Sequence, residues 1–270
     1  MACEWRCSLA AIVFVCFAIL SCGEKPLPTV QAQEKSLTDQ QIQTLLSEKV
    51  FFGHQSVGDN IVQGIREIAE SDARLKLNLI ASRNPETVSE PALIETHIGR
   101  NTDPQSKNAD FLAIMNQGFQ GIALFKYCYV DIGEKTDVQQ MFSAYQAMIE
   151  QIRKDHPAVR IVHITVPLMT VDSSPKAWLK NILGRNTVQE DNIKRNRFNA
   201  LLRHAYEKEP IFDLAEVEST RSDGSRSYFK RADETVYTLA PEYTTDGGHL
   251  NEVGRRNAAQ RLLEVLTSVR

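Results

Sequence analysis

Two short stretches near opposite ends of the chain hold the residue types from which nucleophilic acyl chemistry is built. In the first, Phe51-Phe52-Gly53-His54-Gln55-Ser56-Val57-Gly58, an apolar run ends in a glycine and a serine stands where a helix begins. A serine so placed presents its hydroxyl outward, while its own N–H and the positive end of the helix dipole face any negative charge developing beside it. The same position suits a serine that only caps the helix, and on this stretch alone both readings stand. The second stretch, Asp246-Gly247-Gly248-His249-Leu250, sets a carboxylate three residues ahead of an imidazole. Such a carboxylate can accept the Nδ1–H bond, fix the tautomer and leave Nε2 to take a proton from a hydroxyl. Here too a plainer reading stands, with Asp246 as a helix cap and His249 on the surface. His54, His97 and Asp131 are further ligand-type groups, but their spacing matches no metal-binding pattern, so no metal is expected.

The elements that must bring these stretches together show as alternating periods. Thr38 followed by Gln41 forms a capping-box pattern, opening a helix with Ile42, Leu45 and Leu46 as its apolar positions. Residues 50–52 read as a short buried strand, and a helix follows from Val57 with Ile61, Ile65 and Ile68 on one face. The alternation continues with strands over 75–80, 122–125, 160–166 and 211–214, and helices over 108–115, 138–153, 192–206 and 252–269. Strands separated by helices require crossovers, which predicts a three-layer α/β/α sandwich around a mainly parallel five-stranded sheet. Sites in such sheets gather beyond the carboxyl ends of the strands, and Ser56 is at one of them. Residues 82–107, 168–188 and 218–245 read as long loops of the kind that carry function. Leu168-Met169 and Trp178-Leu179 suit a lid or a core cover, and Asn196, Asn199 and Arg203 suit a solvated helix face.

The 270 residues are 42% apolar and 24% charged, enough for one large domain and incompatible with disorder or a polytopic membrane protein. With 31 Lys plus Arg against 34 Asp plus Glu, the net charge of -3 leaves no positive field for nucleic acid. Residues 9–20, LAAIVFVCFAIL, are twelve apolar residues after Arg6, the length of an export-signal core and too short to span a bilayer. Ile19-Leu20-Ser21-Cys22 resembles the bacterial lipoprotein box, which implies a lipid on Cys22 as the new N-terminus; a cut after Val30-Gln31-Ala32 is the alternative. The expected organisation is therefore a signal over 1–21, a lipidated tether over 22–35 and a domain over 36–270, exported to the bacterial cell envelope and held on the periplasmic or extracellular face of a membrane. Of the five cysteines only Cys128 is then left as a thiol, which excludes a disulfide scaffold and a multi-cysteine zinc site. Loss of residues 1–21 removes Glu4 and Arg6 together, so the charge stays at -3 and expresses no substrate preference.

The two chemical stretches, in this order, resemble the terminal blocks of the SGNH, or GDSL-like, hydrolase superfamily. DGGHLNEVGRRNAAQRLLEVL from Asp246 is similar to its Asp-x-x-His-Leu block before a final helix, and FFGHQSVG is similar to its nucleophile block, with His54-Gln55 in place of the usual Asp. The resemblance implies Ser56 as nucleophile, His249 as base and then acid, and Asp246 as its orienting carboxylate. It also implies an oxyanion hole of the Ser56 N–H, a glycine N–H, here Gly99, and an asparagine. That asparagine is missing, because Lys126-Tyr127-Cys128-Tyr129-Val130-Asp131 stands where the superfamily has Gly-x-Asn-Asp. Lys126, Tyr127 or Asn101 are the candidate substitutes, with His54 lining the pocket. The implied activity is cofactor-free hydrolysis of a small-molecule or glycan ester, with no protein partner indicated; a non-catalytic glycan-binding lipoprotein and a carbohydrate O-acyltransferase are the alternatives.

Overall fold

Residues 36–171 and 187–269, all within the compact unit Lys35–Arg270, are described by a computed structural model. The predicted export segment, Cys22 and its tether, and Trp178-Leu179 lie outside the described residues. No described helix is long and apolar enough to cross a membrane.

The capping box forms as expected. Thr38 Oγ1 accepts from the Gln41 N–H at 3.2 Å, the Thr38 N–H donates to Gln41 Oε1 at 2.9 Å, and helix α1 (Asp39–Ser47) follows. Caps of this kind contribute about 1 kcal/mol. The chain continues through β1 (Lys49–His54), α2 (Val57–Ser71), β2 (Leu79–Ala81), β3 (Ala92–His97), α3 (Pro104–Met115), β4 (Gly121–Phe125) and α4 (Val138–Asp155). After β5 (Val159–Ile161) and β6 (His163–Ile164) come α5 (Thr187–Ala205), β7 (Ile211–Phe212), α6 (Leu214–Ser219), the strands β8 (Tyr228–Arg231) and β9 (Glu234–Tyr237), and α7 (Glu252–Leu266).

Five strands form one parallel sheet in the order β2-β3-β1-β4-β5. The last strand runs on past Val162 into β6, which pairs in parallel with β7. Because successive strand residues face opposite sides, β1 sends Val50 and Phe52 into one core and Phe51 into the other. Helices α1, α2 and α7 cover the first face and α3, α4 and α5 the second, which is the expected three-layer sandwich. Helices α2 and α7 come so close that a Cβ on Gly64 would meet the Arg255 carbonyl oxygen at 2.5 Å. That approach joins the two chain ends carrying Ser56 and His249.

Several expected elements differ. The loop expected over 82–107 contains β3, the strand beside β1, and the strand expected over 75–80 shrinks to β2. Only Ala92, Leu93 and Ile94 of β3 are apolar and buried; Glu95, Thr96 and His97 emerge at the carboxyl end of the sheet and break the apolar run. The loop expected over 218–245 holds the end of α6 and the antiparallel hairpin β8–β9, and α6 starts where the strand over 211–214 was expected to end. Leu168 is fully buried core. The helix face of Asn196, Asn199 and Arg203 is not solvated: Asn199 bonds the Val166 backbone from both ends of its amide, Asn196 bonds the Tyr237 backbone, and Arg203 grips Asp213.

Candidate active site

Strand β1 delivers Ser56 to the start of α2 in an unusual backbone conformation, φ 58° and ψ -113°. A positive φ in a residue with a Cβ costs roughly 1–3 kcal/mol and persists only where the surroundings hold it. The Ser56 side chain makes no capping bond to α2, which removes the capping reading. Its Oγ instead lies 2.8 Å from His249 Nε2.

His249 is brought there by the turn before α7. Asn251, not Asp246, caps that helix by accepting from the Gly254 N–H at 3.0 Å. The Leu250 N–H donates to Asn60 Oδ1 at 3.0 Å, pinning the turn to α2 directly beside the serine. Asp246 Oδ2 stands 2.7 Å from His249 Nδ1, while its Oδ1 accepts from the N–H groups of Gly248 at 2.9 Å and His249 at 2.8 Å. The Gly248 N–H first, then the imidazole and the His249 N–H, hold this carboxyl well below the usual carboxylate range. An ionised Asp246 accepts only, so Nδ1 carries the proton and Nε2 is left to receive the Ser56 hydroxyl proton. Ser56, His249 and Asp246 thus form one continuous relay across 193 residues of sequence separation.

Tyr129 completes the wall of the site and was not among the expected residues. Its ring meets the His249 ring edge-on at 5.8 Å, and its hydroxyl stands near Ser56. Burial first, then the charge on Asp246, push the Tyr129 hydroxyl up, so it stays protonated and able to donate. Gly248 is required by this packing, since a Cβ there would lie 2.9 Å from the Tyr129 ring and 3.0 Å from its oxygen. Arg195 holds the Tyr129 carbonyl at 2.9 Å from Nε. The signal for Tyr129 is its place in the stretch after β4: the chain leaves the strand extended and then makes a single 3₁₀ turn over Tyr129–Asp131.

The other expected residues are placed differently. The Gly99 N–H donates to Asp110 Oδ2 at 2.8 Å, so it is engaged by α3 and not held out toward an oxyanion. Gly99 is nonetheless required as glycine, at φ +55° with a Cβ position 2.5 Å from the Lys107 nitrogen. Gln55 Nε2 donates to the carbonyls of Ile98 at 2.8 Å and Gly99 at 2.6 Å, tying that loop to the serine turn. Asn101 spends its Oδ1 on Lys107 Nζ at 3.0 Å. Tyr127 is core, its hydroxyl bonded to Asn108, and burial pushes it up. Lys126 is wholly buried, neither at a sheet edge nor in the open; its Nζ lies 3.4 Å from the Tyr127 carbonyl and from Cys128 Sγ, and burial lowers its pKa. Cys128 is a buried free thiol. Asp131 accepts from Lys107 Nζ at 2.5 Å, the Cys128 N–H at 2.6 Å and the Thr102 N–H at 2.8 Å, so it staples two site loops together. His54 is 1% exposed beneath the serine turn, bonded to Glu95.

No protein-family model matches the chain, and no curated protein matches it. Among solved structures it is similar to a GDSL-like lipase from Bacteroides thetaiotaomicron, at 13% identity and a TM-score of 0.49 over 82% of this chain and 89% of that one. It is also similar to a lipase/acylhydrolase from Enterococcus faecalis, at 13% identity and a TM-score of 0.45 over 83% and 97% of the two chains. A third is an acetyl xylan esterase, at 16% identity and a TM-score of 0.45 over 80% and 98%.

Proposed function

We propose that this chain is a serine ester hydrolase of the SGNH type, acting on carboxylic esters and in particular on O-acyl groups of carbohydrate. The observation that carries the reading is the unbroken relay of 2.8 Å from Ser56 Oγ to His249 Nε2 and 2.7 Å from His249 Nδ1 to Asp246. In the first half-reaction Ser56 Oγ attacks the ester carbonyl as His249 Nε2 takes its proton. Asp246 stabilises the imidazolium through the Nδ1–H bond and stays ionised throughout. Negative charge gathers on the carbonyl oxygen, for which the Ser56 N–H and the Tyr129 hydroxyl are the proposed donors. Collapse of the tetrahedral intermediate expels the alcohol, which takes the proton from His249, and leaves an acyl-serine. Water then attacks with His249 again as base, freeing the acid and restoring Ser56.

The openness of the site supports a substrate that docks from solution: the side chains of His249 and Asp246 are 44% and 54% exposed. The predicted lipid on Cys22 would hold the domain on a bacterial envelope membrane, where acylated glycans and lipid esters are both at hand. The test is labelling of the purified protein with a fluorophosphonate, followed by hydrolysis assays on p-nitrophenyl acetate and acetylated oligosaccharides. Adduct mass on the Ser56 peptide with matching loss of activity is expected; a folded protein that takes no label at Ser56 would sink the hydrolase reading.

A further inference from the structure

The turn that holds Ser56 is flanked by a second cluster of ligating groups. His54 ends β1, His97 ends β3 opposite it in the parallel register, and Asp59 stands in the first turn of α2. One ligating atom from each of the three lies within 4.8 Å of the other two. His54 Nε2 is 3.0 Å from Glu95 Oε2, and a carboxylate accepts only, so Nε2 carries the ring proton and Nδ1 a lone pair. That Nδ1 is buried without a hydrogen-bond partner, 3.6 Å from Asp59 Oδ1. A buried polar atom left unpartnered is unfavourable, and such atoms usually mark an absent ligand or water. The approach to Nδ1 is open only because position 58 is glycine: a Cβ there would stand 2.8 Å from Nδ1 and 2.3 Å from the His54 Cβ.

The geometry points to a divalent metal site made of His54 Nδ1, the Asp59 carboxylate and His97 Nε2, with Zn²⁺ as the ion. Two imidazoles and one carboxylate form a donor set suited to zinc, with a fourth position left for water. Tetrahedral zinc with bonds of about 2.0–2.1 Å sets its ligand atoms roughly 3.3 Å apart. The 3.6 Å between His54 and Asp59 already fits. His97 Nε2, now 2.7 Å from Asp59 Oδ1, has to lose its shared proton and swing slightly, which side chains 63% and 50% exposed are free to do. Glu95, itself 3.6 Å from Arg66, supplies the carboxylate that orients a metal-bound histidine from behind. The site differs from the trio visible in sequence, because Asp131 is turned onto Lys107. A metal here ties the ends of β1 and β3 to the first turn of α2 and braces the strained turn in which Ser56 sits.

The full chain, purified in detergent and stripped with EDTA, is titrated with Zn²⁺ by calorimetry and melted with and without the ion. One equivalent should bind and raise Tm. The exposed-ligand variants His97→Ala and Asp59→Asn should keep a native circular-dichroism spectrum and weaken binding by at least about 100-fold, and Glu95→Gln by about 10- to 100-fold. His204→Ala on the exposed end of α5 and His249→Ala should bind as the parent does. Absence of saturable binding, binding untouched by His97→Ala, or binding lost in His249→Ala would each overturn the proposal. Ser56→Ala should retain zinc in full, so this result stands or falls separately from the hydrolase reading.

Discussion

His249 and His163 each hold a carboxylate through one ring nitrogen, at 2.7 Å to Asp246 and 3.0 Å to Glu209, yet the two pairs are set up for opposite purposes. His163 is fully buried; its Nδ1 accepts from the Tyr145 hydroxyl at 2.6 Å and its ring stacks on Tyr206 at 3.7 Å. Both nitrogens are satisfied by fixed protein groups, and burial pushes the imidazole down to about 4. In the His249 pair the second nitrogen faces the Ser56 hydroxyl and the side chains are open to solvent. A histidine–carboxylate pair is therefore not in itself a catalytic feature. What the far nitrogen faces decides: a tyrosine in the core suits stability, and a strained serine beyond the carboxyl end of the central strand suits proton transfer. His54 is a third case, whose far nitrogen faces no donor at all.

The largest effect that separates the two pairs is removal of the hydroxyl. Ser56→Ala should cut kcat/KM on p-nitrophenyl acetate roughly 10⁴- to 10⁶-fold with no change in Tm beyond a few degrees, the usual scale for loss of a nucleophile. His163→Gln, by contrast, should lower stability and leave kcat within about threefold. If the two variants exchange these phenotypes, the division between the pairs is wrong. Next in size is Asp246→Asn. Its amide would donate to Nδ1 and leave the proton on Nε2, the tautomer that cannot accept from Ser56, for a loss of about 10³- to 10⁴-fold in kcat. A loss under tenfold would mean that water orients His249 well enough at this exposed position.

The core pair should announce itself in stability against pH. His163 has a folded value of about 4 against 6.5 for the free side chain, so between those pH values the unfolded chain binds more protons. Its contribution is complete above about pH 6.5 and is lost as the pH falls toward 4. Urea unfolding at pH 7 and pH 4.5 should show about 2–3 kcal/mol of loss from this group, and the loss should shrink by that amount in His163→Gln. An unchanged pH slope in the variant would place the acid sensitivity elsewhere.

The two pairs also differ in how far the sequence reveals them. Asp246 and His249 are visible because they are neighbours in sequence with glycines between them, and Ser56 because a glycine turn separates it from an apolar strand. Glu209 and His163 lie 46 residues apart, and nothing local links them. The same limit explains the other differences. Helices show through their periods, and β1 and β4 through unbroken apolar runs; β3 hides because its second half is polar, with Glu95 paired to His54 and His97 to Asp59. Gly99 reads as an oxyanion donor until Asp110, on a helix eleven residues away, is seen to take its N–H. Lys126 and Tyr127 are the first residues after β4, but their side chains turn into the core, and Tyr129, two residues further on, is the one that meets His249.

Tyr129 is where the comparison can be sharpened most finely, because the core pair has a tyrosine too. The Tyr145 hydroxyl spends its proton on His163 and can do nothing else. The Tyr129 hydroxyl stands beside the Ser56–His249 pair, and in the proposed tetrahedral intermediate it would donate to the oxyanion. Losing an oxyanion donor in an enclosed site costs about 10²- to 10³-fold, but Tyr129 is half-buried and water can partly replace it. Tyr129→Phe should therefore reduce kcat about tenfold with KM nearly constant, since the interaction strengthens as charge develops and adds little to ground-state binding. The ring that packs on His249 and Gly248 is kept in that variant, so Tm should hold. Equal rates in Tyr129→Phe and the parent would make Tyr129 a packing residue like its buried counterpart and return the oxyanion to backbone N–H groups alone.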